Sequence, residues 1–272
     1  MADKNVRVFV NGILLHPVIQ KLKLVDDKGI TVSTHTYDVL RVAIKQIKSR
    51  YFDNLEEASE DLDFFAILIG ILIHDTTKGT LRLSGSKNSH SYIMRNNPDI
   101  VMKEAESIIE EVENFTKLNI KKETRDHIIH IVASHHGRWG RIKPQTKEAH
   151  IVHEADKYSA MYHRITPIGA KKIIKLMSDG FSKDEVVKIT GYTSGIIDNR
   201  LKRAKQELNI KTNRGLLSYY NKYKSIPDGD EFFSRRIRET EKLIKKVEVI
   251  GFEDLVLKNI LIDYIYREDI FE

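Results

Sequence analysis

The ten residues Phe64–Ile73 read FFAILIGILI, without one polar side chain. Such a run must be buried, because each Leu, Ile or Phe taken fully out of water gains roughly 1.5–3 kcal/mol. It is about half of the roughly 20 residues needed to cross a bilayer. It therefore reads as the apolar end of a buried helix over 55–73, around which the rest of the chain has to pack. That helix closes on His74-Asp75, an imidazole and a carboxylate at a point where an apolar core needs neither. Polar groups in such a place need a shared partner, and a metal ion supplies one, since neutral imidazole and carboxylate are its common nitrogen and oxygen ligands.

No cysteine occurs among the 272 residues. Disulfides, thiolate nucleophiles, zinc–cysteine sites and iron–sulfur clusters are excluded together, so any metal has to be held by His, Asp or Glu. An apolar share of 41%, a charged share of 31%, 5 Pro and 14 Gly exclude a disordered, collagenous or low-complexity chain. The length suits one large or two modest domains. The start, MADKNVRVFVNG, lacks a cleavable apolar region, so the protein is expected to be cytoplasmic, with no membrane partner.

The pattern predicts a mainly α protein. In residues 1–33, Val8-Phe9-Val10, Asn11-Gly12 and Ile13-Leu14-Leu15 have the spacing of a short hairpin, which predicts a β-leaning N-terminal extension. From Thr34 the helical period takes over, with helices expected over 36–49, 55–73, 98–115, 122–135 and 146–164. Over 98–115, Ile100, Ala105, Ile108, Ile109, Val112 and Phe115 fall on about one face. Pro167 opens a segment of different composition, with helices over 168–178, 182–189, 194–208 and 213–223 before Pro227-Asp228-Gly229 breaks the chain. Four parts are expected: the extension 1–33, a helical domain over 34–165, a basic domain over 166–224, and an amphipathic helical tail over 225–272.

Further ligand-type residues are expected where helices start and end: His35 opening a helix, His90 in a loop, His135-His136 closing a helix, and Asp156 on another. Their order along the chain is H, HD, H, HH, D. In this the chain resembles the HD-domain metal-dependent phosphohydrolases, whose helical bundle gathers its ligands in that order. Across 74–160, His74-Asp75-Thr-Thr-Lys78, Ser134-His135-His136-Gly137, Trp139-Gly140, Lys143-Pro144, Glu148-Ala149 and His153-x-x-Asp156 are similar to the HD domain of bacterial 3′→5′ exoribonucleases. Two departures stand out. The linker from Asp75 to His90 is shorter than is usual there, and the residues before His35 do not read as the OB fold that accompanies that domain.

The resemblance implies a bundle holding two divalent ions, drawn from Mn, Fe, Ni, Co, Zn or Mg. His35, His74, Asp75 and Asp156 would hold one, and Asp75 would bridge to a second held by His90, His135 and His136. A metal pair about 3.5–4 Å apart clamps a phosphate and activates a hydroxide, with Asp75 as the catalytic carboxylate and Lys78 neutralising phosphoryl charge. His153, on one helical face with Asp156, would brace the ligands and not bind metal itself. His127, His130, His150 and His163 read as caps or solvated side chains, and His16 has no functional reading. Trp139 lies among Arg138, Arg141 and Lys143. Either Trp139 stacks a substrate base while Arg138 and Arg141 hold phosphates, or it packs this loop onto the body.

Net charge is +6, and it is concentrated: residues 167–222 carry 12 Lys and Arg against 5 Asp and Glu. Within them, Ser182 and Glu185 have capping-box spacing and Gly191-Tyr192-Thr193 makes a turn. A helix from Ser194 would then turn Asn199, Arg200, Lys202, Arg203 and Lys205 outward and Ile196, Ile197, Leu201 and Ala204 inward. The stretch resembles the helix-turn-helix domains of LuxR-type regulators and sigma-factor region 4, which implies duplex DNA as a partner and a homodimer. The function expected is metal-dependent hydrolysis of a phosphate ester in a nucleotide or nucleic-acid substrate. Mononucleotide phosphatase, cyclic-dinucleotide phosphodiesterase and exonuclease all stay open, although a GYP-type signature is missing. The alternative is a DNA-binding regulator whose HD fold senses a nucleotide or metal without turnover.

Overall fold

The structure is a computed structural model that describes residues 4–27, 29–83, 85, 88–163, 170–224, 226, 231–265 and 270–272. Its helices, in chain order, are α1 (Lys4–Leu15), α2 (Pro17–Lys21), α3 (Val32–Arg50), α4 (Leu55–Asp61), α5 (Phe64–Ile73), α6 (Thr76–Leu83), α7 (His90–Asn96) and α8 (Pro98–Thr116). There follow α9 (Lys122–Ser134), α10 (Lys147–Tyr162), α11 (Ala170–Ser178), α12 (Lys183–Thr190), α13 (Ser194–Glu207), α14 (Asn213–Tyr223), α15 (Glu231–Ile250) and α16 (Phe252–Leu257). Among the described residues there is no sheet, only the isolated bridges Asp26–Thr31 and Ile120–Phe271. The fold class is mainly α, as expected.

The chain forms two units, residues 1–164 with 240–272, and residues 165–239. In the first, α5 is buried at every position. It packs on α9, while α3 packs on α10 and α8 on both α9 and α1. The window Phe64–Leu81 has the composition of a membrane span, yet it is 83% buried inside the protein and turns at His74-Asp75. Gly70 lets α5 and α9 approach: a Cβ there would lie 2.6 Å from Ile131 Cγ2. The two helices that end in His74 and His135 are thereby held side by side.

The β-leaning reading of residues 1–33 is overturned, because α1 and α2 occupy most of that span. Val6, Phe9, Val10, Ile13 and Leu14 are all fully buried, and their spacing is helical. Burial along one helical stripe outweighs the local hairpin signal of Asn11-Gly12. The single helix expected over 55–73 is two, because Leu62 is extended and the Asp63 carboxylate accepts from Ala66 N–H to cap α5, a cap worth about 1 kcal/mol. His90, expected in a loop, opens α7 behind the Ser89 cap. From Thr240 onward the chain belongs to the first unit, where Leu243, Phe252, Leu255, Val256 and Leu261 join the main core. Thr240 Oγ1 donates to His163 O at 2.8 Å. Pro167 and Pro227-Asp228-Gly229 lie outside the described residues.

The second unit has its own core of Ile173, Ile174, Val186, Ile197, Leu201, Ala204, Leu216, Tyr220 and Ile226. The Ser182–Glu185 capping box forms at the start of α12, and Gly191 ends that helix at φ 68°. Thr193 then caps α13 through Ile196 N–H.

Candidate metal centre

Several elements meet at one place in the first unit. α5 ends on His74, α9 ends on His135, α7 begins with His90, and α3 and α10 bring His35 and Asp156 from their interiors. Helix ends suit this role because their last carbonyls lack partners within the helix. His74 Nδ1–H donates to Ile71 O at 2.7 Å and His135 Nδ1–H to Val132 O at 2.6 Å. His90 Nδ1 meets Thr77 Oγ1 at 2.6 Å, and His35 Nδ1 meets Ser159 Oγ at 3.0 Å. Fixing one ring nitrogen sets which way the other points. Each of these four histidines turns Nε2 toward Asp75.

Asp75 organises the site. Its Oδ2 lies 3.2 Å from His74 Nε2 and 3.5 Å from His35 Nε2, while Oδ1 lies 3.3 Å from His90 Nε2 and 3.8 Å from His135 Nε2. Asp156 Oδ1 sits 2.9 Å from His35 Nε2. Two groups result, His35–His74–Asp75–Asp156 and His90–His135–His136, and in each the ligand atoms lie within 4.8 Å of one another. His74 Nε2 and Asp75 Oδ1 are buried and make no hydrogen bond. A buried polar atom without a hydrogen bond costs about 1–3 kcal/mol, and a divalent cation in reach of both removes that cost. The residues present fit a metal.

The electrostatics agree with the donor set. Burial, reinforced by its cationic neighbours, holds the His90 imidazole down at about 3. Burial also drives His135 well below the usual range and lowers His136. All three are neutral at pH 7 and offer lone pairs. Burial opposes ionisation of Asp75, but Lys78 and His74 hold it well below the carboxylate range. Asp156 is likewise kept ionised against burial by its bond to His35. His74 is pulled down by burial, yet the Asp75 and Asp156 carboxylates carry it above the ordinary value. The cluster thus pairs two carboxylates with several neutral rings, the ligand chemistry of hard to borderline divalent ions.

Residues around the ligands fix the geometry. His153 Nδ1–H donates to His135 O at 2.6 Å, so it braces the α9 end. Its ring fills the space where a side chain on Gly137 would stand, and Gly137 has φ 52°. Lys143 Nζ bonds Gly137 O at 3.2 Å and Gly140 O at 2.7 Å, stapling the next loop. In that loop Trp139 is 57% exposed. The Arg138 guanidinium lies 4.6 Å over its ring. Arg141 is exposed and donates its N–H to Met94 O. Lys78 Nζ lies 2.5 Å from Asp75 Oδ2 and 2.9 Å from Asp27 Oδ2.

Several partners had escaped the sequence. Ser159 stands one turn beyond Asp156, and Thr77 two residues after Asp75, so position on a ligand-bearing helix was the available signal. Asp27 lies in a loop remote in sequence and carried none. The other histidines are placed as follows. His163 is the C-cap of α10, one of the two readings given above, and its side chain is buried against Asp38, with Nδ1 2.5 Å from Oδ2. His16 is also buried, caps α2 through Val18 N–H and pairs with Glu111. His127 bonds Thr146 and sits 3.3 Å from Glu148, His130 accepts from Gln145 N–H, and His150 is exposed.

On α13, Asn199, Lys202 and Arg203 are exposed, as expected. Arg200 and Lys205 are half-buried and so turn only partly outward, and Ile196 is half-buried beside the fully buried Ile197, Leu201 and Ala204.

A mainly helical unit in which helix ends gather histidines around two carboxylates defines a candidate metalloprotein. Residues 32–161 match the family model of the HD domain. That span carries every ligand-type residue described above, which supports membership of the HD-domain family for this part of the chain; HD domains are in general metal-dependent phosphohydrolases. No curated protein and no solved structure gives a significant match to the chain.

Proposed function

We propose that the first unit is a two-metal phosphohydrolase acting on a nucleotide or nucleic-acid substrate. The observation that carries this reading is Asp75, whose two oxygens face two separate groups of ligand atoms, the arrangement a bridging carboxylate requires. Bound divalent cations supply Lewis acidity toward a phosphoryl oxygen and lower the pKa of attacking water.

The chain's own residues do the rest. The α5 and α9 carbonyls and Thr77 and Ser159 orient the imidazoles. Asp156, ionised, holds His35 in place. Lys78, beside Asp75, supplies a positive charge toward a transferring phosphoryl group. The exposed Trp139 offers an aromatic face for a base, with Arg138 and Arg141 near it for phosphates. The second unit, through Asn199, Arg200, Lys202, Arg203 and Lys205, tethers the enzyme to duplex DNA as a helix-turn-helix, by contacts dominated by phosphate.

The test is metal content by mass spectrometry beside a Mn-supplemented hydrolysis screen of bis-p-nitrophenyl phosphate, dNTPs, NMPs and 3′-labelled single-stranded RNA and DNA. Two metals per chain and turnover of one substrate class are expected, with both lost in the variant combining His74→Ala and Asp75→Ala. Hydrolysis that survives in this variant refutes the site. Metal without turnover on any substrate, joined to salt-sensitive duplex binding, would make the protein a sensing regulator instead.

A further inference from the structure

Lys78 answers to two carboxylates, and only one of them belongs to the ligand set. Its Nζ donates to Asp75 Oδ2 at 2.5 Å and to Asp27 Oδ2 at 2.9 Å. The Lys78 and Asp27 side chains are 16% and 18% exposed, so the solvent screens the pair little. Asp27 stands 51 positions from Lys78 and outside the span 32–161 that matches the HD family. Its place is fixed by backbone bonds. Asp27 N–H donates to Ile30 O at 2.7 Å and Val32 N–H to Val25 O at 2.8 Å, while Gly29 turns the chain at φ 89°. The turn runs straight into α3, where Thr31 caps the helix and its carbonyl accepts from His35 N–H at 3.0 Å. Asp27 is therefore held in register with a metal ligand.

The need for a second carboxylate follows from charge. Asp75 Oδ2 faces His74 and His35 Nε2 at 3.2 and 3.5 Å, so it is the oxygen turned toward the first ligand group. An ammonium on that oxygen opposes a divalent cation, because it engages a lone pair and repels like charge. Yet a cation at this point is what a transferring phosphoryl group requires. Asp27 reconciles the two demands, since its charge balances the ammonium and its bond gives Nζ an anchor other than Asp75. An ammonium has three N–H groups. Two go to the carboxylates, and among the described residues the third has no partner, which leaves it for a phosphoryl oxygen.

We propose that Asp27 is a positioning residue for the metal centre, which balances and anchors Lys78 so that Asp75 serves as a ligand while Lys78 keeps an N–H for the phosphoryl group. The inference rests on the metal-binding reading of the site and extends it to a residue outside the HD span. Partners one step removed from a metal ligand typically change affinity about 10–100-fold when removed.

The test measures Mn²⁺ binding to the full chain by electron paramagnetic resonance, for wild type, Asp27→Asn, Lys78→Met and the double variant. Asp27→Asn leaves the lysine charge unbalanced, and Mn²⁺ is expected to bind about 10–100-fold more weakly. Lys78→Met removes the opposing charge and should bind Mn²⁺ at least as tightly as wild type. The double variant removes both charges, so its affinity should return to near the wild-type value. With bis-p-nitrophenyl phosphate at saturating Mn²⁺, Asp27→Asn should lower kcat more than it raises KM, and the double variant should be no slower than Lys78→Met. An Asp27 that merely stabilises its turn would lower the melting temperature of Asp27→Asn and leave Mn²⁺ affinity unchanged, which overturns the proposal. So would a double variant that binds Mn²⁺ as weakly as Asp27→Asn, since Asp27 would then act without Lys78. Should Asp27→Asn fail to fold, Lys78→Met decides the matter, because weaker Mn²⁺ binding there than in wild type overturns the proposal as well. A wild type that binds no Mn²⁺ would overturn the metal reading itself, a failure separate from tight binding by Asp27→Asn.

Discussion

Replacing Gly137 by Ala perturbs the metal centre without touching a ligand. Gly137 has φ 52°, and a Cβ built on it would run into the imidazole of His153. A left-handed backbone costs a residue with a Cβ about 1–2 kcal/mol. Forcing extra volume against a packed group costs about 1–3 kcal/mol more. The ring has little freedom to retreat, because its Nδ1–H is bonded to His135 O at 2.6 Å. The expected destabilisation is therefore about 2–5 kcal/mol, and at roughly 2–4 °C per kcal/mol a mid-range cost of about 3 kcal/mol lowers the first unit's melting temperature by about 6–12 °C. Gly85 has φ 67° with nothing near its Cβ position among the described residues, so Gly85→Ala carries only the backbone cost and isolates the collision. Thermal unfolding of both variants, and of Gly137→Ala combined with His153→Ala, decides the matter. Truncating His153 should restore most of the collision cost. If the combined variant is no more stable than the sum of its two single changes predicts, the ring is not what Gly137 accommodates and the reasoning fails.

Chelated protein should gain about 2.7 kcal/mol when Mn²⁺ is added at a hundred times its Kd, seen as a rise of roughly 5–10 °C, and His74→Ala should abolish that rise. Glu148 is held at about 2 against burial by His127 and by Asp63 N–H. A depressed carboxyl stabilises fully above its unfolded value of about 4.3 and loses that contribution as pH falls toward 2, here on the order of 3 kcal/mol. Glu148→Gln should flatten the stability–pH curve between those limits, and an unchanged curve would show that another group controls it. Gly70→Ala should destabilise by about 1–3 kcal/mol and weaken Mn²⁺ binding, because it pushes apart the helices that end in His74 and His135. Lys202→Ala with Arg203→Ala should reduce duplex affinity for all sequences alike and flatten its salt dependence by about one unit for each phosphate no longer neutralised. Unchanged binding would remove α13 from the interface.

The helical periods of α3, α8, α9, α10 and α13 were legible because each buries one face against neighbours of its own unit, and burial writes itself into residue spacing. So was the chemistry of the centre: a core helix that ends in His-Asp, in a chain without cysteine, leaves few partners for those groups. The N-terminal helix was misread because Asn11-Gly12 is a strong local turn signal, and only the stripe of buried side chains from Val6 to Leu14 outvotes it. The break at Leu62-Asp63 escaped notice because an N-cap is decided by one side chain turning back on the backbone.

What the sequence alone determined, then, is the set of ligand types and the order in which helices deliver them. Tertiary structure alone decided that the two oxygens of Asp75 face two groups, that Lys78 meets Asp27, and that Ser159 meets His35. Those interactions join residues up to 124 positions apart, and a one-dimensional pattern holds no information on which helix end will be turned toward which.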